Sequence, residues 1–143
     1  MRLELFPLKS VGQFKFGNHI QCYTSLLKDF KCDDPDEFGY VHYEDPDESF
    51  FITVKDNRID SIFCYKELWF RGVNLIGVSI EEFQKITESS FVGEIDELHV
   101  EDDSIPQLVY QFEELGLQVW ERNKVIVTIV ADPGREPKIL STT

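Results

Sequence analysis

The chain has 143 residues, 42% of them hydrophobic and 29% charged, which suits one compact domain and excludes a disordered one. Fourteen Lys and Arg against 27 Asp and Glu leave a formal net charge of −13, a balance that repels nucleic-acid phosphates and anionic membranes and attracts basic partners. The opening Met1-Arg-Leu-Glu-Leu-Phe-Pro is too short an apolar run for a signal peptide, no tract approaches a membrane span, and Cys22, Cys32 and Cys64 show no paired spacing, so a cytoplasmic protein with reduced thiols is expected.

In chain order, Pro7 and Gly12 break an extended start, and Phe14 and Phe16 alternate around Lys15 as a short strand over 13–16. Gly12-Gln-Phe-Lys-Phe-Gly17 then leads into a helical pattern over 19–30, with Asn18 and Gln21 as its capping pair. Residues 31–37 hold four acids and a Pro and read as a loop. Strands follow over 38–43, 50–55 and 58–65, the last two joined by the two-residue turn Asp56-Asn57. That turn sets Val54 opposite Ile59 and predicts a core face carrying Ile52, Val54, Ile59 and Phe63.

Sixty positions after the first glycine segment, Gly72-Val-Asn-Leu-Ile-Gly77 leads into a second helix over 79–88, opened by the capping box Ser79-Ile-Glu-Glu82. Ile20, Tyr23 and Leu26 of the first helix align with Ile80, Phe83 and Ile86 of the second. Residues 91–100 are ambiguous, with a short strand over 98–100, and 108–113 reads as a strand. Strands over 117–121 and 124–130 meet at Arg122-Asn123, placing Trp120 opposite Val125.

Each half therefore reads strand, helix and three antiparallel strands. The expected fold is α+β: a tandem βαβββ repeat forming a largely antiparallel sheet with two helices on one face. It is one domain over 1–131, with repeats at about 10–66 and 70–131 and a loose tail over 132–143.

Candidate chemistry is sparse. His19 and Cys22, with Cys32 nearby, lack the second ligand pair a zinc site needs, and His42 and His99 read as sheet-surface histidines. Cys64 with His42 would make a nucleophile–base pair, but nothing in the sequence brings them together. The glycine segments lack the Lys-Ser/Thr of a phosphate loop, and no nucleophile elbow is present. No catalytic residue, metal or cofactor is assigned, and the chain is expected not to be an enzyme.

The binding candidates are three acidic clusters: Asp33, Asp34, Asp36 and Glu37; Glu44, Asp45, Asp47 and Glu48; and Glu101, Asp102 and Asp103. None has the alternating ligands and central Gly of a calcium loop. Each is either a solvated loop or a surface that steers a basic partner. Trp69 and Phe70, in Glu67-Leu-Trp-Phe-Arg71, either complete the core or anchor an interface.

A Gly-led helix followed by a meander, given twice, resembles the repeat unit of the β-lactamase inhibitor protein and of the outer-membrane assembly lipoprotein BamE. The acidic, motif-poor profile also looks like the immunity proteins that bacteria pair with secreted toxins. Together with the net charge and the lack of catalytic motifs, these resemblances lead to the expectation of a cytoplasmic inhibitor that neutralises a basic toxin by steric and electrostatic occlusion; the charge itself argues against nucleic-acid or membrane binding. A small-ligand or assembly scaffold domain and a hydrolase are the alternatives, and the oligomeric state is left open.

Overall fold

The computed structural model describes residues 2–98 and 105–134. The fold is mainly β, which overturns the α+β expectation: among the described residues there is one α-helix, not two. Strands β1 (Leu5–Phe6), β2 (Ser10–Val11) and β3 (Phe14–Lys15) form a small antiparallel sheet. A 3₁₀ turn at Ile20–Tyr23 leads to β4 (Lys31–Cys32), β5 (Tyr40–Glu44), β6 (Phe50–Lys55) and β7 (Arg58–Cys64). The hairpin β8 (Trp69–Phe70) and β9 (Val73–Asn74) precedes α1 (Ile80–Thr87), after which come β10 (Val92–Leu98), β11 (Gln107–Phe112), β12 (Leu117–Arg122) and β13 (Val125–Ala131).

One sheet of eight strands carries the molecule, in the order β10-β11-β12-β13-β7-β6-β5-β4. Each half thus supplies a four-stranded antiparallel meander, one strand more than the predicted three-stranded one, and the two meanders join through their last strands. Both final hairpins turn on two residues with positive φ, Asp56-Asn57 and Asn123-Lys124, the geometry whose twist suits a two-residue loop. Both also carry a bulge two residues past the turn, between Thr53 and Val54 in one and Trp120 and Glu121 in the other. Val54 pairs with Ile59 and Thr53 with Ser61; Glu121 pairs with Ile126 and Trp120 with Thr128, not with Val125.

The registers make residues sixty-seven apart equivalent. Phe63 pairs with Val130, its own counterpart, while Ile62 pairs with Ala131 and Cys64 with Ile129. An approximate two-fold axis therefore passes between Phe63 and Val130. The glycine junctions obey it too: Gly17 N donates to Ile59 O and Gly77 N to Ile126 O, both at 2.8 Å. Asn18 O and Val78 O in turn accept from Ile59 N and Ile126 N.

The first predicted helix fails for local reasons. Cys22, Thr24 and Ser25 are weak helix formers, and Thr24 Oγ1 donates to Gln21 O, competing with helical bonding. Tyr23 OH accepts from Lys15 N and from Asn18 Nδ2, which ties the segment to β3 and occupies the predicted cap; His19 Nδ1 accepts from Gln21 N instead. The second helix has Ser79 Oγ accepting from Glu82 N and a first turn of Glu81 and Glu82. It buries Ile80 and Phe83, the latter against Phe112, and ends at Glu88 in the left-handed region.

The core lies between one face of the sheet and the small sheets, 3₁₀ turn and α1 that cover it. Phe14, Phe83 and Phe112 are fully buried there with Ile52, Ile62, Val119 and Ile129. Each such side chain contributes about 1.5–3 kcal/mol by leaving water.

Candidate functional site

The bulge at Asp60 decides which residues the sheet presents outward. Without it Phe63 would lie on the core face with Ile59, as the alternation predicts. The extra residue resets the alternation, so Ile62 and Cys64 point to the core and Phe63 to the opposite face. Apart from the β1–β2 turn at one end, no described helix or hairpin packs against that face, and its residues are absent from the core cluster.

Aromatic rings line the first meander's half of this open face. Phe51 and Phe63, paired across β6 and β7, stack with centroids 4.4 Å apart and planes 14° from parallel. His42 meets Phe51 edge-on at 5.4 Å, and Tyr65 lies 5.8 Å from it on the other side. Burial and the neighbouring Glu44 carboxylate push the Tyr65 hydroxyl up to about 12, so it stays a neutral donor at physiological pH. On the second meander Trp120 and Gln118 occupy the face, with Trp120 Nε1 donating to Gln118 Oε1 at 2.6 Å. Thr53 Oγ1, on the same face between His42 and Ser61, is buried with no hydrogen-bond partner.

Beside the two-fold axis the face opens into a cleft of about 780 Å³. Phe63, Val130, Leu117 and Leu8 supply its apolar lining, and Ser61, Gln111 and Gln118 its neutral hydrogen-bonding groups. Glu113, Glu114 and Asp132 also line it, and among the described residues no Lys, Arg or His does. The β1–β2 turn closes one end. Leu8, at φ 68°, lies so close to Gly116 and Gly134 that a Cβ on either would come within 2.8 Å of its Cδ2. At Gly116 a Cβ would also meet Asp132 O at 2.5 Å, so there the backbone approach as well as the positive φ requires glycine.

The acidic candidates divide by role. Asp36 Oδ1 accepts from Phe38 N and Tyr40 N at 2.9 Å, building the turn before β5; the bond from Tyr40 lowers its carboxyl below the usual range. Asp45 is buried, with Oδ1 accepting from Ser49 N and Phe50 N and Oδ2 from Ser49 Oγ. Both organise turns, at opposite ends of β5. Asp33, Asp34, Glu37, Asp47 and Glu48 are exposed or rim positions, with Asp33 Oδ2 3.9 Å from His42 Nδ1. Glu44 reaches the open face beside Tyr65. Glu101, Asp102, Asp103 and His99, like the tail from residue 135, lie outside the described residues.

Trp69 is committed within the molecule. Its N donates to Leu3 O, its Nε1 to Glu67 Oε2, and the Arg2 guanidinium lies 3.9 Å over its ring. Phe70 packs partly into the core, with Arg71 5.0 Å over it. Cys64 and His42 do not form a dyad. Cys64 is fully buried on the core face, where burial pushes its thiol up, whereas His42 stands on the open face. Cys22 and Cys32 are exposed, and no group of His, Cys, Asp or Glu among the described residues has metal-ligand geometry. No described helix is long and apolar enough to cross a membrane.

The open-face residues Phe51, Phe63, Gln118, Trp120 and Val130 escape a reading of the sequence. The adjacent pair Phe50-Phe51 was the available signal: in a strand, neighbours point to opposite faces, so one of two consecutive large rings had to face away from the core. The fold defines a mainly antiparallel β protein with one sheet face that no described helix covers. Comparison with protein-family models, curated proteins and solved structures finds no match to this chain.

Proposed function

We propose that the chain is a cytoplasmic binding protein that holds a basic protein on its open sheet face, the one no described helix covers, acting as an immunity-type inhibitor of a toxin by covering the toxin's working surface. The observation that carries the reading is the aromatic row His42, Phe51, Phe63 and Tyr65 at the middle of a face that no described element covers. Half-buried aromatics on a rigid sheet bury large area at little entropic cost, as interface anchors do. The net charge of −13 complements a basic partner and accelerates its approach. Occlusion needs no reactive group on the inhibitor, and the Cys64–His42 pair a hydrolase would use is split between the two faces of the sheet.

The test is to isolate the partner from the native host with a tagged chain and measure its affinity against salt. A basic partner whose binding weakens at least tenfold between low and high salt is expected. An acidic partner held with salt-insensitive affinity would overturn the reading.

A further inference from the structure

We infer that the cleft beside the two-fold axis is a receptor for an arginine side chain of the partner. The inference rests on the basic-partner reading and names the contact that partner makes. One face of the Phe63 ring is covered by Phe51 at 4.4 Å; its other face is turned towards Val130, its partner across the axis, and lines the cleft. Phe63 is partly exposed and lines the cleft beside the buried Val130, so a flat group can lie against the ring where it meets the cleft.

The surroundings select a guanidinium over an ammonium. Gln111 and Gln118, paired across β11 and β12, supply amide oxygens on the same face as Phe63, although Gln118 Oε1 already takes one bond from Trp120. Several acceptors spread around a flat ring suit a planar fork of five donors that also stacks. A lysine is a compact, strongly hydrated charge that uses the ring face poorly.

Charge points the same way. Three carboxylates line the cleft and, among the described residues, no cationic side chain does. Asp132 Oδ1 accepts from Gly134 N and Glu114 Oε1 from Ser89 Oγ, which fixes two of the three without neutralising them. A volume of about 780 Å³ exceeds one side chain, leaving room for the peptide units on either side of the arginine.

The probes are acetyl-Gly-Arg-Gly-amide and its lysine and citrulline counterparts, each titrated into the ¹⁵N-labelled full chain by NMR. The arginine peptide is expected to give saturable shifts of the Gln111 and Gln118 side-chain amides and of the backbone over 113–118. The lysine peptide should bind at least threefold more weakly, and neutral citrulline should give no saturation. Glu113→Gln with Glu114→Gln, at surface positions that leave the core intact, should weaken the arginine peptide about fivefold.

Equal binding of the lysine and arginine peptides would overturn the guanidinium assignment. Saturable shifts confined to the aromatic row or to loop 33–37 would overturn the cleft while leaving the basic-partner reading standing. No shift with any peptide would overturn the cleft as a receptor. The partner reading itself fails separately, if the native partner is acidic and its binding insensitive to salt.

Discussion

Phe63 on β7 and Val130 on β13 face each other at the centre of the eight-stranded sheet, and each holds the position of the other in its own meander. Pairing about this point uses the last strand of each half as the joint and leaves β4 and β10 as the outer edges. Neither final strand is then an unpaired edge. The same arrangement puts the cleft and the aromatic row on one continuous surface.

Equivalence across the axis predicts equal costs at the two glycine junctions. Ile59 and Ile126 are both buried, and each exchanges backbone bonds with the segment leading into its helix or turn. Ile59→Ala and Ile126→Ala should each destabilise by about 2–5 kcal/mol, within about 1 kcal/mol of one another. Urea unfolding should give one transition for both variants. A loss confined to one junction, or two transitions, would show halves that do not share a core.

Thr53 offers a stabilising change. Its hydroxyl is buried and unpaired on the open face, at the position where the second meander has Trp120. Thr53→Val keeps the shape and removes the desolvated group, so unfolding stability should rise by about 1 kcal/mol. A destabilised Thr53→Val protein would mean that the hydroxyl is bonded in solution.

Asp36 sets a pH dependence at the turn before β5. Its carboxyl lies below the ordinary value because the ionised form accepts from Tyr40 N and Phe38 N. A lowered carboxyl stabilises the turn above the ordinary Asp value, about 4, and that stabilisation is lost as the pH falls through the lowered one. The Phe38 and Tyr40 amide signals should hold steady near neutrality and move only in acid. Asp36→Asn, which keeps an acceptor, should abolish the acid-induced change. Movement near neutrality would assign the dependence to another group.

Much of the sheet is legible in the sequence, because alternation and turn chemistry are local. The strand over 50–55 and the turn Asp56-Asn57 fall where Val, Ile, Phe and Asn place them. The opposite face is not legible, because one bulged residue at Asp60 reverses the side on which Phe63 stands, and a bulge has no compositional mark here. The first helix misleads for a related reason. Ile20, Tyr23 and Leu26 have helical spacing, yet the Tyr23 hydroxyl is held by Lys15 and Asn18, a tertiary demand that overrides the stripe. The acidic clusters look alike as sequence, yet two of their members, Asp36 and Asp45, build turns.

The central claim is that the open sheet face holds the partner, and the most direct measurement is partner affinity for face variants whose stability has been verified. Phe51→Ala and Trp120→Ala remove half-exposed rings outside the core cluster, so the fold should survive. Each should weaken partner binding by about tenfold or more, as loss of an aromatic anchor does. Unchanged affinity in both variants, with binding lost instead on neutralising Asp33 and Asp34, would contradict the account and move the interface to the loop before β5.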